Sequence, residues 1–413
     1  MSVILPHLTK ALVGQIDTGG SKSISNRLLI MYALAGRDAE SARLSSADDT
    51  LVLKRLITQK SAIYDCGKAG TALRFLLALK AYQNQRCIIT GDNRMKERPI
   101  GILVDVLNEM GACINYTEKE GFPPVEIQPG LGLAGSVIHV DATVSSQFLS
   151  ALALIGPYLS GGLTLVLKGK MVSSPYFDMT LKMMQHSGIH IERSDGRILI
   201  HPGKYSFTAF RVESDWSSAS YFFAFCALLP GSQIELYGLM PDSLQGDSMI
   251  VRWMEKFGVQ TDFTENGIRI RSEKIILPTI VEFDFIDNPD LFQTIAFMCA
   301  VLGVQVLYKG LDTLKDKETD RIAAVSAELA KVGVHLVKLP PRMAKKTNTQ
   351  YYLQEGKANF DKIRINTYAD HRMVMAASLL SVAGEVEIEH PQLVKKSYPD
   401  FFNHLKLLTR PDK

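Results

Sequence analysis

The stretch Gly19-Gly20-Ser21-Lys22-Ser23-Ile24-Ser25-Asn26-Arg27 opens a long apolar run. Two glycines permit a tight turn, and the polar residues then crowd the first turns of a predicted helix that continues through Leu28 to Ala35. The free N–H groups and the positive end of the dipole at a helix start attract anions. Lys22 adds a charge, Ser23 adds a hydroxyl, and Arg27 lies one turn further on. By itself the stretch is equally compatible with an anion site and with an ordinary capped helix.

The composition is that of an ordinary globular protein with more than one domain. The chain has 413 residues, of which 46% are hydrophobic and 22% are charged, and its net charge is +3. Because this length exceeds what one hydrophobic core supports, we expect two domains. The small net charge argues against nucleic acid or an anionic membrane as the main partner. Any binding of anions must therefore depend on local clusters of cations.

The five cysteines are scattered along the chain, and no two of them form a Cys-x-x-Cys pair. This pattern indicates a reducing, cytoplasmic setting and argues against a disulfide framework or a zinc site. The first residues lack the features of a secretory signal peptide, and no apolar run approaches the roughly 18 residues that span a bilayer. No metal-ligand cluster, P-loop or dinucleotide-binding glycine motif is visible, so we expect neither a metal nor a cofactor.

Apolar helices with polar starts recur along the chain. After the first start, at Ser23, the others are about 72 to 80 residues apart, near Thr71, Ser145, Ser217, Asp290 and Asp370. A second series of amphipathic helices ends at glycines spaced about 70 to 77 residues apart, Gly111, Gly188, Gly258 and Gly333. Glycine commonly closes a helix as its left-handed cap. The two interleaved series predict about six copies of an α/β unit, and hence two similar domains of three units each.

Charged segments at the predicted helix starts could carry chemistry. Lys317-Glu318-Thr319-Asp320-Arg321 is predicted to open a helix in which Lys317 and Arg321 share a face. Asp370-His371-Arg372 places a titrating group beside a fixed cation, and Asp290 begins its helix after Asn288-Pro289. Each segment is also compatible with a plain cap or a solvated helix start. If the starts converge at one end of each domain, they predict a cleft suited to phosphate or carboxylate groups.

Eight short segments, spread over essentially the whole chain, carry a more specific signal. They are residues 20–27 (GSKSISNR), 69–74 (AGTALR), 94–101 (RMKERPIG), 145–148 (SSQF), 245–247 (QGD), 317–321 (KETDR), 370–373 (DHRM) and 396–400 (KSYPD). In this order the segments resemble the 5-enolpyruvylshikimate-3-phosphate (EPSP) synthase family of enolpyruvyl transferases. The chain departs from the family at Lys68, Thr313 and Ser174, none of which is a predicted proton carrier.

The resemblance implies an α/β fold of two similar domains. Each would contain three βαβαββ units with buried helices, an inside-out α/β barrel, and the active site would lie in the cleft between the domains. Residues 19–215 would form the first domain, on the side of shikimate 3-phosphate. Residues 216–413, completed by residues 1–18, would form the second, which would carry the phosphoenolpyruvate site and the catalytic carboxylates.

The resemblance also implies the reaction. The enolpyruvyl group of phosphoenolpyruvate would move to the 5-hydroxyl of shikimate 3-phosphate, with release of phosphate, through a tetrahedral intermediate. Asp290, which also binds substrate, would act as the base toward the hydroxyl and Glu318 as the acid at carbon, with Lys22 and His371 as helpers. The residues implied to bind shikimate 3-phosphate are Ser23, Arg27, Ser145, Ser146, Gln147, Ser173, Tyr176 and Lys317. Those implied to surround phosphoenolpyruvate are Lys22, Gly70, Arg94, Gln147, Arg321, Arg372 and Lys396. We expect a cytoplasmic monomer without nucleic-acid or membrane partners.

Two other functions fit parts of the pattern. The sibling enzyme that transfers enolpyruvate to UDP-N-acetylglucosamine characteristically carries a reactive cysteine in the loop before an Arg-Pro pair, whereas residues 92–98 contain none. A non-catalytic anion-binding protein on the same fold would be expected to lack Asp290, Glu318 or the phosphate-binding arginines, yet all are present.

Overall fold

The computed structural model describes residues 2–38, 43–141, 145–169, 171–207, 211–343, 346 and 349–409. The chain divides into two compact units. Unit 1 consists of Met1–Gly19 together with Glu213–Lys413, and unit 2 is Gly20–Val212. Unit 2 is therefore inserted into unit 1 along the sequence. Which unit binds which substrate stays a prediction.

Both units contain helices of six to fourteen residues. In unit 2 these are α1 (Lys22–Leu34), α2 (Asp48–Thr58), α3 (Gly70–Gln83), α4 (Gly101–Glu109), α5 (Ser146–Ile155) and α6 (Ser174–His186). In unit 1 they are α7 (Trp216–Leu228), α8 (Ile250–Glu255), α9 (Phe292–Leu302), α10 (Arg321–Ala330), α11 (His371–Ala377) and α12 (Phe401–Leu408).

The strands form five sheets within the described residues. Unit 2 holds the strands β3 (Ile63–Asp65), β4 (Cys87–Thr90), β5 (Cys113–Tyr116), β6 (Val125–Gln128), β7 (Ser136–Asp141), β8 (Leu163–Lys168), β9 (Ile191–Ser194) and β10 (Arg197–Ile200). Unit 1 holds β1 (Ser2–Leu5), β2 (Val13–Ile16), β11 (Gln233–Tyr237), β12 (Val259–Thr264), β13 (Gly267–Ser272), β14 (Ile280–Asp284), β15 (Gln305–Lys309), β16 (His335–Lys338), β17 (Tyr351–Glu355), β18 (Lys362–Ile365) and β19 (Glu385–Glu389).

Three of the sheets repeat one chain path. In β3-α3-β4-α4-β5-β6, the first two strands are parallel and the last two form an antiparallel pair, so the spatial order is β3-β4-β6-β5. The orders β7-β8-β10-β9 and β14-β15-β17-β16 follow the same rule. This path is the predicted βαβαββ unit, and the α/β fold class is confirmed.

The fourth four-stranded sheet takes one strand from the amino-terminal segment. Its order is β12-β13-β11-β2, and β2 pairs in parallel with β11 from Gln233↔Val13 to Leu236↔Ile16. The strand that would precede α7 in a contiguous unit is thus supplied from more than two hundred residues upstream. The remaining sheet has the order β1-β19-β18.

The recurring apolar helices are buried, as their sequences predict. In α9 every residue but Leu302 is buried, because the helix is apolar nearly all round and has no polar face to present to water. The Thr294 hydroxyl lies 3.2 Å from the Ser220 hydroxyl of α7, whereas the buried amide of Gln293 has no hydrogen-bond partner among the described residues. Helix α9 packs against α7 and α11 in unit 1, while α3 packs against α1 and α5 in unit 2. These contacts bring the polar helix starts of each unit together.

The predicted glycine caps are confirmed. Gly111, Gly188, Gly258 and Gly333 all have positive φ, between +79° and +109°. The turn at Asp195-Gly196 joins β9 to β10. The turn at Glu265-Asn266 joins β12 to β13, and Gly267 already belongs to β13. Glycine is needed there because a Cβ would collide with the carbonyl oxygen of Leu236.

Within the described part of the chain, every helix falls short of the length and apolar character that crossing a membrane requires.

Candidate active site

The centre of the unit 1 site is the guanidinium of Arg321, which is 1% exposed. Nε donates to Asp370 Oδ2 at 2.8 Å, Nη1 to Asp290 Oδ1 at 2.9 Å and Nη2 to Glu318 Oε2 at 2.9 Å. Burial alone would lower the pKa of this guanidinium, but the three carboxylates outweigh that effect and raise it. One cation therefore aligns three carboxylates that come from separate segments.

A second arginine reinforces the position of Asp290. Nη2 of Arg372 donates to Asp290 Oδ2 at 2.7 Å, and Nη1 donates to the Asp290 carbonyl oxygen at 3.2 Å. The Asp290 carboxylate thus bridges two guanidinium groups, one on each oxygen. Lys396 Nζ lies 3.5 Å from Glu318 Oε1, which adds a third cation to the cluster. The two predicted proton carriers and the three predicted phosphate-binding cations of this unit form one contiguous network.

Local helix geometry explains these positions and corrects one prediction. Asp370 caps α11 by accepting from the Arg372 amide at 2.8 Å, so its other oxygen is free to meet Arg321. Asp320 caps α10 through the amides of Ile322 and Ala323. The predicted helical face shared by Lys317 and Arg321 is wrong, because α10 begins at Arg321 and Lys317 has extended backbone. Asp290 lies in a 3-10 turn before α9 and is not its cap.

Asp247 is a member of the cluster that the sequence analysis did not single out. Burial, together with repulsion from Asp290, raises the pKa of its carboxyl to about 6. Asn288 Nδ2 donates to Asp247 Oδ1 at 3.3 Å, and the Ser217 hydroxyl donates to Oδ2. The QGD segment that contains it was one of the family-like segments, but nothing in those letters indicated that Asp247 and Asp290 lie close together.

His371 is also buried, with 1% of its surface exposed. Its Nδ1 lies 3.5 Å from Asp370 Oδ1. The imidazole therefore stands beside a carboxylate that Arg321 already neutralises. The helper role of His371 stays a prediction.

The predicted residues of unit 2 centre on the start of α1. Arg27 is 2% exposed, and burial lowers the pKa of its guanidinium to about 10. Its hydrogen bonds go to neutral oxygens, those of Ser23, Ser150, Tyr176 and Thr180. Among the residues whose placement is described, no carboxylate pairs with Arg27. The guanidinium is also stacked over the Phe75 ring at 5.6 Å. A buried cation that finds no counter-charge among the described residues favours a bound anion nearby.

Lys22 occupies the first position of α1 and pairs with Asp49 of α2. The distance from Nζ to Oδ2 is 3.1 Å, and the two side chains are 16% and 6% exposed. Lys22 is therefore positioned by a carboxylate before any substrate arrives. The sequence analysis did not identify Asp49, since no spacing rule links residues 22 and 49.

At the start of α3, Gly70 lies directly beneath two arginines. A Cβ at this position would collide with Nη1 of Arg98 and come within 2.9 Å of Nη1 of Arg74. Arg98 is 6% exposed, and its buried Nε has no hydrogen-bond partner among the described residues. Arg94, in contrast, is exposed and pairs with Glu97 at 3.0 Å. Arg98 rather than Arg94 therefore has the environment of an anion ligand.

The sequence contained a usable signal for Arg98. It directly precedes Pro99, which favours an extended backbone at the preceding residue, and Arg98 has that conformation where it follows the 3-10 turn of residues 95–97. The guanidinium of Arg74 lies 5.3 Å from the Phe148 ring. Arg27 of α1 and Arg74 of α3 thus each lie against an aromatic ring of another helix, Phe75 of α3 and Phe148 of α5.

The remaining predicted residues lie at the starts of α5 and α6. Ser145 caps α5 by accepting from the Gln147 amide at 3.3 Å, and Ser146 is buried. The side-chain Oε1 of Gln147 is buried without a hydrogen-bond partner among the described residues. Ser173 has φ +55° at the start of α6. Such a conformation is uncommon for serine and is typical of functional turns.

Comparison with known proteins decides the family. A profile of the EPSP synthase family, 3-phosphoshikimate 1-carboxyvinyltransferase, matches residues 39–405. The chain belongs to the EPSP synthase family. A 3-phosphoshikimate 1-carboxyvinyltransferase of Bacteroides fragilis strain YCH46 is 42% identical over 393 residues, covering 95% of this chain and 94% of the relative. One from Vibrio atlanticus is 32% identical over 426 residues, covering 96% and 97%.

The solved structure of EPSP synthase from Acinetobacter baumannii shares the fold. Its TM-score is 0.75 at 21% identity, and the match covers 99% of this chain and 98% of that one. The resemblance inferred from the eight segments is confirmed, and with it the enzyme class, a transferase. Membership of the EPSP synthase family decides against the alternative that the chain belongs with the enzymes acting on UDP-N-acetylglucosamine.

We expect Arg321→Met to destabilise unit 1 by about 3–5 kcal/mol, because three partly or fully buried carboxylates would lose their shared cation. Both tryptophans of the chain, Trp216 and Trp253, lie in unit 1, so tryptophan fluorescence during urea denaturation reports on this unit. Arg269→Met is the matched control, since the Arg269–Glu235 pair is exposed and its loss should change the stability much less than the loss of Arg321. Equal losses in the two variants would contradict the structural role of Arg321.

We expect the raised pKa of Asp247 to make unit 1 less stable as the pH rises. Because the pKa of Asp247 is about 6 in the folded state and about 4 in the unfolded state, protonation of this carboxyl stabilises the folded state. This stabilisation is fully present below about pH 4 and is lost as the pH rises through about 6. Asp247→Asn should gain stability relative to the parent over this window, on the order of 1–3 kcal/mol.

The measurement is urea denaturation at several pH values between about 4.5 and 7.5. Asp361→Asn, at an exposed position, is the control and should keep the pH dependence of the parent. If Asp247→Asn also keeps that dependence, the proton does not reside on Asp247.

Proposed function

We propose that this member of the EPSP synthase family transfers the enolpyruvyl group of phosphoenolpyruvate to the 5-hydroxyl of shikimate 3-phosphate and releases phosphate. The observation that carries the proposal is the shared network of unit 1. Asp290 and Glu318, the two carboxylates that the reaction needs, are hydrogen-bonded to the same buried Arg321. A protein that only bound anions would have no use for carboxylates among its phosphate-binding cations.

In the proposal, Arg321, Arg372 and Lys396 receive phosphoenolpyruvate. Its phosphate and carboxylate oxygens can replace the Asp290 and Glu318 oxygens on these cations, because both kinds of oxygen accept charge-assisted hydrogen bonds from a guanidinium. Such an exchange leaves the cations paired throughout and avoids exposing a buried charge. It also leaves the two carboxylates with less positive charge around them, which favours their taking up protons.

The proposed chemistry needs two proton transfers in its first step and one in its second. Asp290 accepts the proton of the 5-hydroxyl while the hydroxyl oxygen forms a bond to the central carbon of phosphoenolpyruvate. In the same step Glu318 gives a proton to the methylene carbon. In the second step the bond from that carbon to the phosphate oxygen breaks, phosphate leaves with the electron pair, and the methyl group returns a proton to Glu318. The cations stabilise the charge that develops on the departing phosphate.

Shikimate 3-phosphate is proposed to bind the residues of unit 2 around α1, α5 and α6. Support comes from Arg27, a buried cation without a carboxylate partner among the described residues. Further support comes from the unpartnered Oε1 of Gln147. Four of the five N–H groups of Arg27 already donate to protein oxygens. A ligand can therefore accept at most one hydrogen bond from Arg27, and it also interacts with the positive charge of the guanidinium.

We further propose that Arg98, rather than Arg94, contributes to the phosphoenolpyruvate site, together with Gly70. Support comes from its burial, its unpartnered Nε and its position at the amino-terminal end of α3. The α3 dipole and the backbone N–H groups at this end favour the same negative charge as the guanidinium. The glycine matters because any side chain at position 70 would displace the guanidinium of Arg98.

The proposal places the enzyme in the cytoplasm as a monomer. The five cysteines all carry free thiols, which supports a reducing compartment. The net charge of +3 gives no support for nucleic acid or an anionic membrane as a partner.

The proposal is tested by release of phosphate from phosphoenolpyruvate, which should depend on added shikimate 3-phosphate. In this assay we expect Asp290→Asn to lower kcat about 10²–10⁴-fold, the usual worth of general acid–base assistance. The KM for phosphoenolpyruvate should stay the same or fall, because the amide no longer competes as an anion for Arg321 and Arg372.

Asp361→Asn is the matched control at an exposed position and should keep the kcat of the parent. Near-normal turnover of Asp290→Asn would remove Asp290 from the chemistry. Phosphate release that does not depend on added shikimate 3-phosphate would overturn the proposed reaction.

We expect Arg98→Ala and Arg94→Ala to behave differently. Loss of a charge-assisted hydrogen bond costs about 1.5–3 kcal/mol, so Arg98→Ala should raise the KM for phosphoenolpyruvate roughly 10- to 100-fold. Arg94→Ala removes the ion pair with Glu97, whose side chains are 39% and 66% exposed, and should change the KM for phosphoenolpyruvate less than about threefold. Steady-state kinetics on both variants decides between the two arginines. A larger effect of Arg94→Ala would contradict the proposal and would favour Arg94, the residue that the family resemblance implies.

A further inference from the structure

Three side chains with metal-binding atoms lie together on the β9–β10 hairpin of unit 2. Glu192 Oε1 is 2.7 Å from His201 Nε2 and 3.5 Å from His190 Nε2. The two imidazole rings are 4.6 Å apart and tilted by 37°. One ligand atom from each residue lies within 4.8 Å of the other two. The three side chains range from half-buried to exposed, so an ion in solution can reach them.

The hairpin register explains why these residues meet. Ile191 is paired with Ile200, so His190 and His201 are the next pair outward, joined by a hydrogen bond from the His201 amide to the His190 carbonyl at 3.1 Å. Glu192 is two residues from His190 and thus projects from the same face of the sheet. Because the turn at Asp195-Gly196 fixes the register, the cluster is a consequence of the fold.

We propose that His190, Glu192 and His201 form a binding site for a divalent transition-metal ion, with Zn²⁺ as its natural occupant. Two imidazole nitrogens and one carboxylate oxygen, with water in the fourth position, are a known ligand set for zinc. The site lies outside the residues proposed to bind substrate, so it goes beyond the proposed function and does not rest on it.

The geometry is close to what zinc requires. With zinc–ligand bonds of about 2.0–2.1 Å, the ligand atoms of a tetrahedron lie about 3.3 Å apart. The distance from His190 Nε2 to Glu192 Oε1, 3.5 Å, is within about 0.2 Å of this value. The shorter contact between His201 and Glu192 must open slightly, and the two imidazoles must approach each other. Rotation about side-chain bonds supplies both movements, because these side chains stand at the surface.

The ligand chemistry separates zinc from the hard cations. Ca²⁺ and Mg²⁺ take oxygen ligands, and this cluster offers only one carboxylate. Imidazole nitrogen favours the later first-row metals, among which Cu²⁺ competes with Zn²⁺. The alternative is a simple surface pair between Glu192 and the two histidines. The hydrogen bonds from His201 and His190 lower the pKa of the Glu192 carboxyl, which keeps the carboxylate ionised for either arrangement.

The first experiment measures Zn²⁺ binding to the full chain, without an affinity tag and with thiols reduced, by isothermal titration calorimetry. The parent should bind one equivalent. His190→Ala, Glu192→Gln and His201→Ala should each weaken the affinity at least about tenfold, which is the scale of losses seen even for outer residues of metal sites. His335→Ala, an exposed histidine of β16, is the matched control and should bind like the parent.

A second measurement keeps the test decisive. Co²⁺ should give visible d–d bands with the parent and His335→Ala but not with the His190→Ala, His201→Ala double variant. Zn²⁺ should also raise the Tm of the parent, because it binds only the folded hairpin, and should leave the double variant unchanged. The proposal is overturned if the double variant binds zinc as tightly as the parent. It is equally overturned if the parent shows no saturable binding at millimolar Zn²⁺, which would leave only a surface ion pair.

Discussion

The hydrogen bonds of a single buried guanidinium hold the charged cluster of unit 1 in place. Arg321 has nearly no contact with water, and removing such a charge from solvent is costly unless partners compensate. Its planar fork reaches Asp290, Glu318 and Asp370, which precede or begin three different helices. Lysine could not satisfy this arrangement, since it offers a point charge without fixed directions. The helix starts are thereby tied to one another as well as to the arginine.

The two units handle their buried cations in different ways. In unit 1, carboxylates neutralise Arg321 and Arg372. In unit 2, neutral oxygens and the Phe75 ring surround Arg27, and no carboxylate among the described residues pairs with it. In the proposed function, an anion would therefore exchange with an existing partner in unit 1, whereas in unit 2 it would bring a charge that the described partners of Arg27 do not supply.

How much the sequence predicted depended on the range of the interactions involved. The buried helices and the glycine caps follow from local periodicity and backbone preference, and they were predicted correctly. The face shared by Lys317 and Arg321 was predicted wrongly because Asp320 caps α10 and starts it four residues later than expected. The closeness of Asp247 to Asp290 arises from packing between distant segments. No spacing rule contains that information, so only the three-dimensional structure reveals it.

The pairing of β2 with β11 has a consequence for synthesis on the ribosome. The chain emerges from its amino end, so residues 13–16 appear about two hundred residues before the strand that they pair with. At about 5–20 residues per second, this delay lasts roughly 10–40 seconds. The ribosome has synthesised all of unit 2 before β11 appears, so unit 2 can fold while the first strands of unit 1 are still unpaired. Vectorial translation thus favours the inserted unit as the first folded body, and the outer unit closes only when its last segments are released.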